Sequence, residues 1–380
     1  MRKILMYITI FTCFLFLAAC EDFLTIEPLD KTPATVLFKD VAGVKTVLAN
    51  IYQRMPVEDF NWTVGGWNQH PGGAFGGWHK AGMTDEAVLE GNQGYQPGST
   101  LGAYWDYTSI RQVNQFLEAI LNLKNEGKLA EATYKSLYGE GHFILAYMYF
   151  QMARRYGGVP LIDQVQKLSE SGDNSALFVP RSTEKATWDF VLSKCDLAIA
   201  NLPTSWSTTD GIYRATKWAA LALKSRAALH AASVAKYWDK AALTGDAVTQ
   251  KLVGGMTAAD ANNYYQICIT ASKDLIDNSG KTLYKPNPVN KAEAAKNYQD
   301  IFETPSMAWD EIIFMKAYID GAVTGQQGHD TDFWLYPQQC KFHNLYMSSR
   351  FGATLDIVDL YEDYTDDGTG KSAPVKTRTD

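Results

Sequence analysis

The feature that most limits what this chain can fold into is a run of long stretches with a helical apolar period, joined by short links. The stripes read Val41, Val44, Leu48 and Ile51 behind a capping Asp40; Ile110, Val113, Leu117 and Ile120; and Leu137, Gly141, Leu145, Met148 and Met152. Spacings of three and four residues place each set on one side of a helix. They predict helices over about 40–54, 104–125 and 129–156. The link between the last two is polar and short, so these helices should pack antiparallel. Gly157-Gly158 stops the third helix and Pro160 confirms the stop.

The pattern continues downstream. Ser182 opens a helix to about Leu202 with Trp188, Leu192, Cys195 and Ile199 inward. The next spans about Ala215–Trp238, where Trp218, Leu221, Ala222, Ser225, Leu229 and Ala232 form a stripe whose small members allow close helix contact. Asp260 caps a helix ending at Asn278-Ser279-Gly280, and Asn290 with Glu293 resembles a capping box for a short helix to Phe302. Paired, these segments form hairpins of about 35–40 residues, the period of tetratricopeptide-like arrays. The strict signature of such repeats is absent. The expected fold is therefore all-α: tetratricopeptide-like helix hairpins forming a superhelical body, with long irregular loops and minor β. Only Glu311–Tyr318 reads as a strand, and from Ile319 onward the chain reads as irregular.

The N-terminus reads as an export signal. Arg2 and Lys3 precede a nearly unbroken apolar run from Ile4, and Leu17-Ala18-Ala19-Cys20 follows. These are the parts of a secretory signal peptide, and a Cys directly after the cut makes it a lipoprotein signal, with Cys20 acylated. The 16 residues from Ile4 to Ala19 fall short of the ~20 that a spanning helix needs. Cleavage leaves 361 of the 380 residues, and the net charge of −7 becomes about −9 without Arg2 and Lys3. No cluster of Lys and Arg offsets that acidity, so nucleic acid is not an expected partner. Residues 20–39, with Pro28 and Pro33, read as a tether.

Residues 55–103 differ in character. Ten glycines lie between Gly65 and Gly98, alongside Trp62, Trp67 and Trp78, and no helical or strand period survives. A long loop of this kind inside a compact body is often functional. Sugars present apolar C–H faces and a rim of hydroxyls, so they suit flat aromatic platforms flanked by amides. The loop supplies Trp62, Trp67, Trp78 and Tyr95 with Asn68 and Asn92, and Trp334 and Tyr336 add to them. The competing role for each of these rings is to plug the loop into the body. Trp105, Trp188 and Trp218 lie on or near helix stripes and read as core.

No motif points to catalysis, metal or cofactor. Asp85 and Glu86 are adjacent, whereas glycosidases place two carboxylates on separate elements at set distances. The six histidines show no zinc-type spacing. The segment Asp363–Gly368 resembles a calcium loop, but Thr365 and Pro374 occupy positions that need ligands. Gly370-Lys371-Ser372 lacks the preceding glycine and strand of a phosphate loop. After loss of Cys13 and acylation of Cys20, the remaining Cys195, Cys268 and Cys340 make no disulfide framework.

Several local patterns occur in one order: Cys20-Glu21-Asp22-Phe23-Leu24-Thr25-Ile26-Glu27-Pro28, Thr84-Asp85-Glu86, Trp105-Asp106-Tyr107, Phe143 with Ala146-Tyr147, Arg155-Tyr156-Gly157-Gly158-Val159-Pro160-Leu161, the run Ala215–Arg226, Glu311-Ile312-Ile313-Phe314 and Asp359-Leu360-Tyr361-Glu362. Each is short, but the collinear set resembles the SusD/RagB family of surface lipoproteins over essentially all of the mature chain. The resemblance implies a binding protein and not an enzyme. It implies a lipid anchor on the cell surface of a Gram-negative outer membrane, a SusC-like TonB-dependent transporter as partner, and a captured glycan. By the same resemblance Glu21-Asp22 is a surface-export mark, and family members extend well beyond the counterpart of Tyr361. The implied organisation is a signal peptide (1–19), a lipidated tether (20–39), a SusD-like N-terminal helical region (40–240) and a RagB/SusD-like C-terminal region (241–380) that is expected to be incomplete by comparison with the family. The alternatives are a peptide ligand in the same role, a surface glycoside hydrolase, or a scaffold that binds only proteins.

Overall fold

The structure is a computed structural model that describes residues 37–57, 104–207, 211, 213–304, 309–316 and 352–358, together with the backbone of 87–89, 341–342, 345–346, 351, 359–360, 362–363 and 373–374. In chain order the elements are α1 (Val41–Gln53), β1 (Ala87–Leu89), α2 (Tyr107–Asn125), α3 (Glu131–Tyr156), α4 (Glu184–Asn201), α5 (Lys217–Tyr237), the short α6 (Asp246–Thr249), α7 (Ala258–Asn278) and α8 (Lys291–Glu303). They continue with β2 (Lys341–Phe342), β3 (Leu345–Tyr346), β4 (Phe351–Ala353), α9 (Leu355–Leu360), β5 (Glu362–Asp363) and β6 (Ala373–Pro374). The chain is mainly helical, as the stripes predict.

Side-chain caps fix where the helices start. Asp40 accepts from Gly43 N, Asp106 from Ser109 N, Thr183 from Ala186 N, Thr216 from Ala219 N and Asn290 from Glu293 N. Each satisfies an amide that the first helical turn would otherwise leave unpaired. Asp260 is not the cap of α7. Thr257 is, and Asp260 sits three residues inside as the reciprocal half of a capping box. Among the long helices, α1 packs on α2, α2 on α3, α3 on α4, α4 on α5 and α5 on α7. One continuous core runs through them, with Phe116, Phe143, Tyr149, Phe150, Trp188 and Tyr264 fully buried.

The Arg-Tyr-Gly-Gly-Val-Pro-Leu run has a physical reason. Gly157 ends α3 at φ +67, and a Cβ on Gly158 would lie 1.8 Å from the Ser182 carbonyl oxygen. The chain there is clasped from two sides, with Gly158 N donating to Leu252 O (2.6 Å) and Ser182 N to Val159 O (3.1 Å). Arg181 closes the clasp by donating to the Gly158 and Tyr156 carbonyls. Only glycine tolerates that backbone approach.

The structure corrects several expectations. Within the stretch expected to lack any strand, β1 pairs antiparallel with β4, Ala87 opposite Ala353 and Leu89 opposite Phe351. Three residues are too few to display an alternation. The residues from 341 onward, expected to be irregular, include β2 paired with β3, β5 paired with β6, and α9. Conversely, residues 311–316 of the expected strand are not strand. Their apolar content serves helix packing: Ile313 packs against the buried cluster of Trp218, Leu221 and Ala271, and Phe314 against Phe143. On α5 the buried seam is Ala227, Ala228, Ala231, Ala232 and Ala235, while Leu229 is 49% exposed. Trp188 and Trp218 are core, but Trp105 is 46% exposed and rests edge-on against Tyr107 and Tyr156. Among the described residues no helix is long and apolar enough to cross a membrane.

Candidate functional site

A cleft of about 550 Å³ opens between α1, the turn before α5 and the segment 314–316. Residues Lys45, Leu48, Ala49 and Tyr52 stand at i, i+3, i+4 and i+7 on α1, so one helix face forms one wall. Met55 and Val57 extend that wall past the helix end. Tyr213 and Arg214 form the second wall, and Phe314, Met315 and Lys316 the third. Phe314 is held by an edge-to-face contact with Phe143 (5.3 Å between centroids), and Tyr213 by one with Trp309 (6.2 Å).

Below the cleft lies a buried ion pair. Arg214 donates from Nε to Glu140 Oε1 (2.8 Å) and from Nη2 to Oε2 (2.5 Å). The Tyr52 hydroxyl donates to the same Oε1 (2.8 Å) and accepts from Ala215 N (3.0 Å). The Arg214 guanidinium stacks 3.7 Å from the Trp206 ring, whose indole N–H donates to Ala215 O (2.7 Å). Glu140 is fully buried on α3 between Gly139 and Gly141. A Cβ on Gly141 would meet Leu117 of α2 at 2.6 Å, and one on Gly139 the Leu202 backbone at 2.9 Å. The two glycines thus let neighbouring segments close over the carboxylate.

Burial raises the Glu140 carboxyl above its ordinary value, and the Arg214 and Tyr52 hydrogen bonds oppose that rise. Burial, then the adjacent Glu140 charge, pushes the Tyr52 hydroxyl well above the usual phenol range, so Tyr52 stays a neutral donor. The result is a rigid floor that fixes Tyr52 and Arg214 at the cleft. The walls offer aromatic rings, aliphatic surface and fixed polar groups: surfaces for holding a ligand. The Glu140 carboxylate, in direct contact with the cleft residues Tyr52 and Arg214, is engaged by the guanidinium.

The sequence candidates Trp62, Trp67, Asn68, Trp78, Asn92, Tyr95, Trp334 and Tyr336 all lie outside the described residues, as do Cys20 and the pair Asp85-Glu86. The described chain ends toward residues 58–86 at Val57 and toward 317–340 at Lys316, and both end residues line the cleft. Sequence reasoning missed Tyr52, Tyr213, Arg214, Phe314 and Glu140. The available signal was Glu140 itself: a carboxylate between two glycines, just ahead of the apolar run Phe143–Ala146, needs a charged or hydrogen-bonding partner once buried. Among the described residues no group of three or more His, Cys, Asp or Glu is placed to hold a metal ion. His142 is buried against Tyr138, and its pKa is pushed down to about 4 by burial and by Lys194.

The model of a SusD-like family, described as starch-binding and associating with the outer membrane, matches residues 22–229, more than half of the chain. Among solved structures, a SusD-like protein from Bacteroides fragilis is 25% identical at a TM-score of 0.52, covering 77% of this chain and 47% of its own. A SusD-like carbohydrate binding protein from the same organism is 17% identical at a TM-score of 0.57, covering 90% and 55%. A SusD superfamily protein, also from that organism, is 15% identical at a TM-score of 0.54, covering 88% and 66%. The chain therefore spans about half the length of the first two. A search of curated proteins gave no match.

Proposed function

Because this chain belongs to the SusD-like family of starch-binding, outer-membrane-associating proteins, we propose that it is a cell-surface lipoprotein that captures a glycan and delivers it to a SusC-like TonB-dependent transporter. The observation that carries the ligand class is the family match over residues 22–229. The 25%-identical SusD-like structure and the aromatic cleft of Tyr52, Tyr213 and Phe314 support it. Rings of this kind take the C–H faces of a sugar, while polar side chains on the same walls, such as Gln53 and Arg214, order its hydroxyls. In this reading the cleft, the stretch after Val57 with Trp62, Trp67 and Trp78, and the stretch after Lys316 with Trp334 and Tyr336 serve one ligand. Export by the signal of residues 1–19, acylation of Cys20 and routing by Glu21-Asp22 place the protein at the outer face.

The test is a titration of the soluble protein, starting at Glu21, with oligosaccharides. Trp67→Ala or Trp78→Ala is expected to weaken binding about 5- to 30-fold, the loss typical of one stacking anchor, with the melting temperature unchanged. If neither substitution changes affinity while glycan still binds, the loop is not part of the site, and Trp334→Ala becomes the discriminating variant. A peptide bound in place of glycans would keep the receptor role and replace the ligand class.

A further inference from the structure

A second, smaller pocket of about 290 Å³ lies where α5 ends and α7 begins. Its floor is small and apolar, with Ala235 and Ala261 both buried. One wall is Trp238, held rigidly. Its indole N–H donates to Met256 O (2.9 Å), and Gly254 lies so close that a Cβ there would sit 2.3 Å from the ring. The opposite element, α7, brings Tyr265 and Asn262, three residues apart and so on one helix face. Asp239, next to Trp238, completes the rim.

Close by on α7, the Tyr264 hydroxyl is bonded to Asp189 (2.7 Å), and Asp260 is bonded to Thr257. Among the described residues, neither the Asn262 amide nor the Asp239 carboxylate has a hydrogen-bond or ion-pair partner. Asn262 and Asp239 are both exposed at the rim, one able to donate and accept and one purely accepting, so each can exchange water for a ligand beside Trp238 and Tyr265. Lys236 on the same rim holds its ammonium over the Tyr237 ring (5.0 Å) and, at longer range, one face of Tyr265 (6.0 Å); with Asp239 it leaves the rim without net formal charge, so the pocket does not demand a charged ligand.

We propose that this pocket is a second carbohydrate site, separate from the cleft, that holds a single neutral pyranose ring. Trp238 and Tyr265 take the apolar faces of the ring. Asp239 accepts from adjacent hydroxyls, and Asn262 bonds a third. The volume sits at the lower end of small-molecule sites and suits one ring, not a chain. A weak contact of this kind matters because it is tethered to the first: a polysaccharide gripped at two points on one body gains from the high effective concentration of its second unit. The inference stands on Trp238, Asn262 and Asp239 and does not depend on the cleft.

The experiment is saturation-transfer NMR on the protein starting at Glu21, with the methyl glycosides of glucose, galactose and mannose as probes. At least one should receive saturation, strongest at its ring C–H protons. Asn262→Ala and Tyr265→Ala should each cut that signal at least about fivefold, the effect of losing one hydrogen-bonding or stacking contact. Asn262 is exposed, so its substitution leaves the fold intact even if Tyr265→Ala does not. No transfer to any of the three glycosides, or transfer indifferent to Asn262→Ala, overturns the proposal.

Discussion

Replacing Glu140 with alanine is expected to cost about 3–5 kcal/mol of folding stability, the loss typical of removing one partner of a buried ion pair. Glu140 is fully buried, and the Arg214 side chain is only 18% exposed. The substitution leaves the guanidinium under cover without its two carboxylate bonds, and it takes the acceptor from the Tyr52 hydroxyl. Helix propensity does not confound the result, because alanine is the best helix former and α3 continues 16 residues beyond this point to Tyr156. Urea unfolding of the Glu21-start protein measures the loss. Glu140→Gln, which keeps an acceptor, should lose less. Adding Arg214→Ala to Glu140→Ala should recover part of the cost, since the stranded charge is then gone. A loss below about 1 kcal/mol for Glu140→Ala would show that the pair is not closed off from water as the structure has it.

The same residues show how much was legible beforehand. The long helices were readable because each carries its apolar stripe and a local stop or cap, as in Asp40, Gly157 and Asn290, and such signals act within a few residues. The cap of α7 was misplaced by three residues because Thr257 and Asp260 both favour helix starts, and only their reciprocal bonds separate cap from partner. Strand β1 was invisible because its partner, β4, lies more than 250 residues away and three residues leave no period to read. Leu229 was assigned inward because an alanine seam on α5 carries little hydrophobic contrast, so the larger residue attracted the assignment. The aromatic residues of the loops follow from composition and fall outside the described residues. The cleft did not, since Tyr52, Arg214 and Phe314 come from positions 52, 214 and 314 and meet only through tertiary packing.

Cys20→Ser is expected to abolish display on the cell surface while leaving glycan affinity unchanged. The acyl chains of a lipoprotein attach through the Cys20 sulfur and the new N-terminal amine, and a hydroxyl cannot form the thioether. Without the anchor the membrane affinity contributed by each buried methylene, about 0.8 kcal/mol, is lost for every chain. The cleft residues Tyr52, Tyr213, Arg214 and Phe314 all lie downstream of Cys20 in sequence and are untouched by the substitution. Surface labelling of intact cells with a membrane-impermeant reagent measures display, and titration of the purified variant measures affinity. Continued labelling of Cys20→Ser at the surface would contradict both the anchor and the export signal.

The central claim, capture of a glycan without chemistry on it, is tested most directly by following binding and reducing-end release in one sample. The Glu21-start protein is run through gels containing starch and a panel of other polysaccharides, and the same mixtures are assayed for new reducing ends. The account predicts retardation by at least one polysaccharide with no release above the protein-free control. Release of reducing ends would instead identify a hydrolase, and absence of retardation by every glycan would remove the glycan from the account.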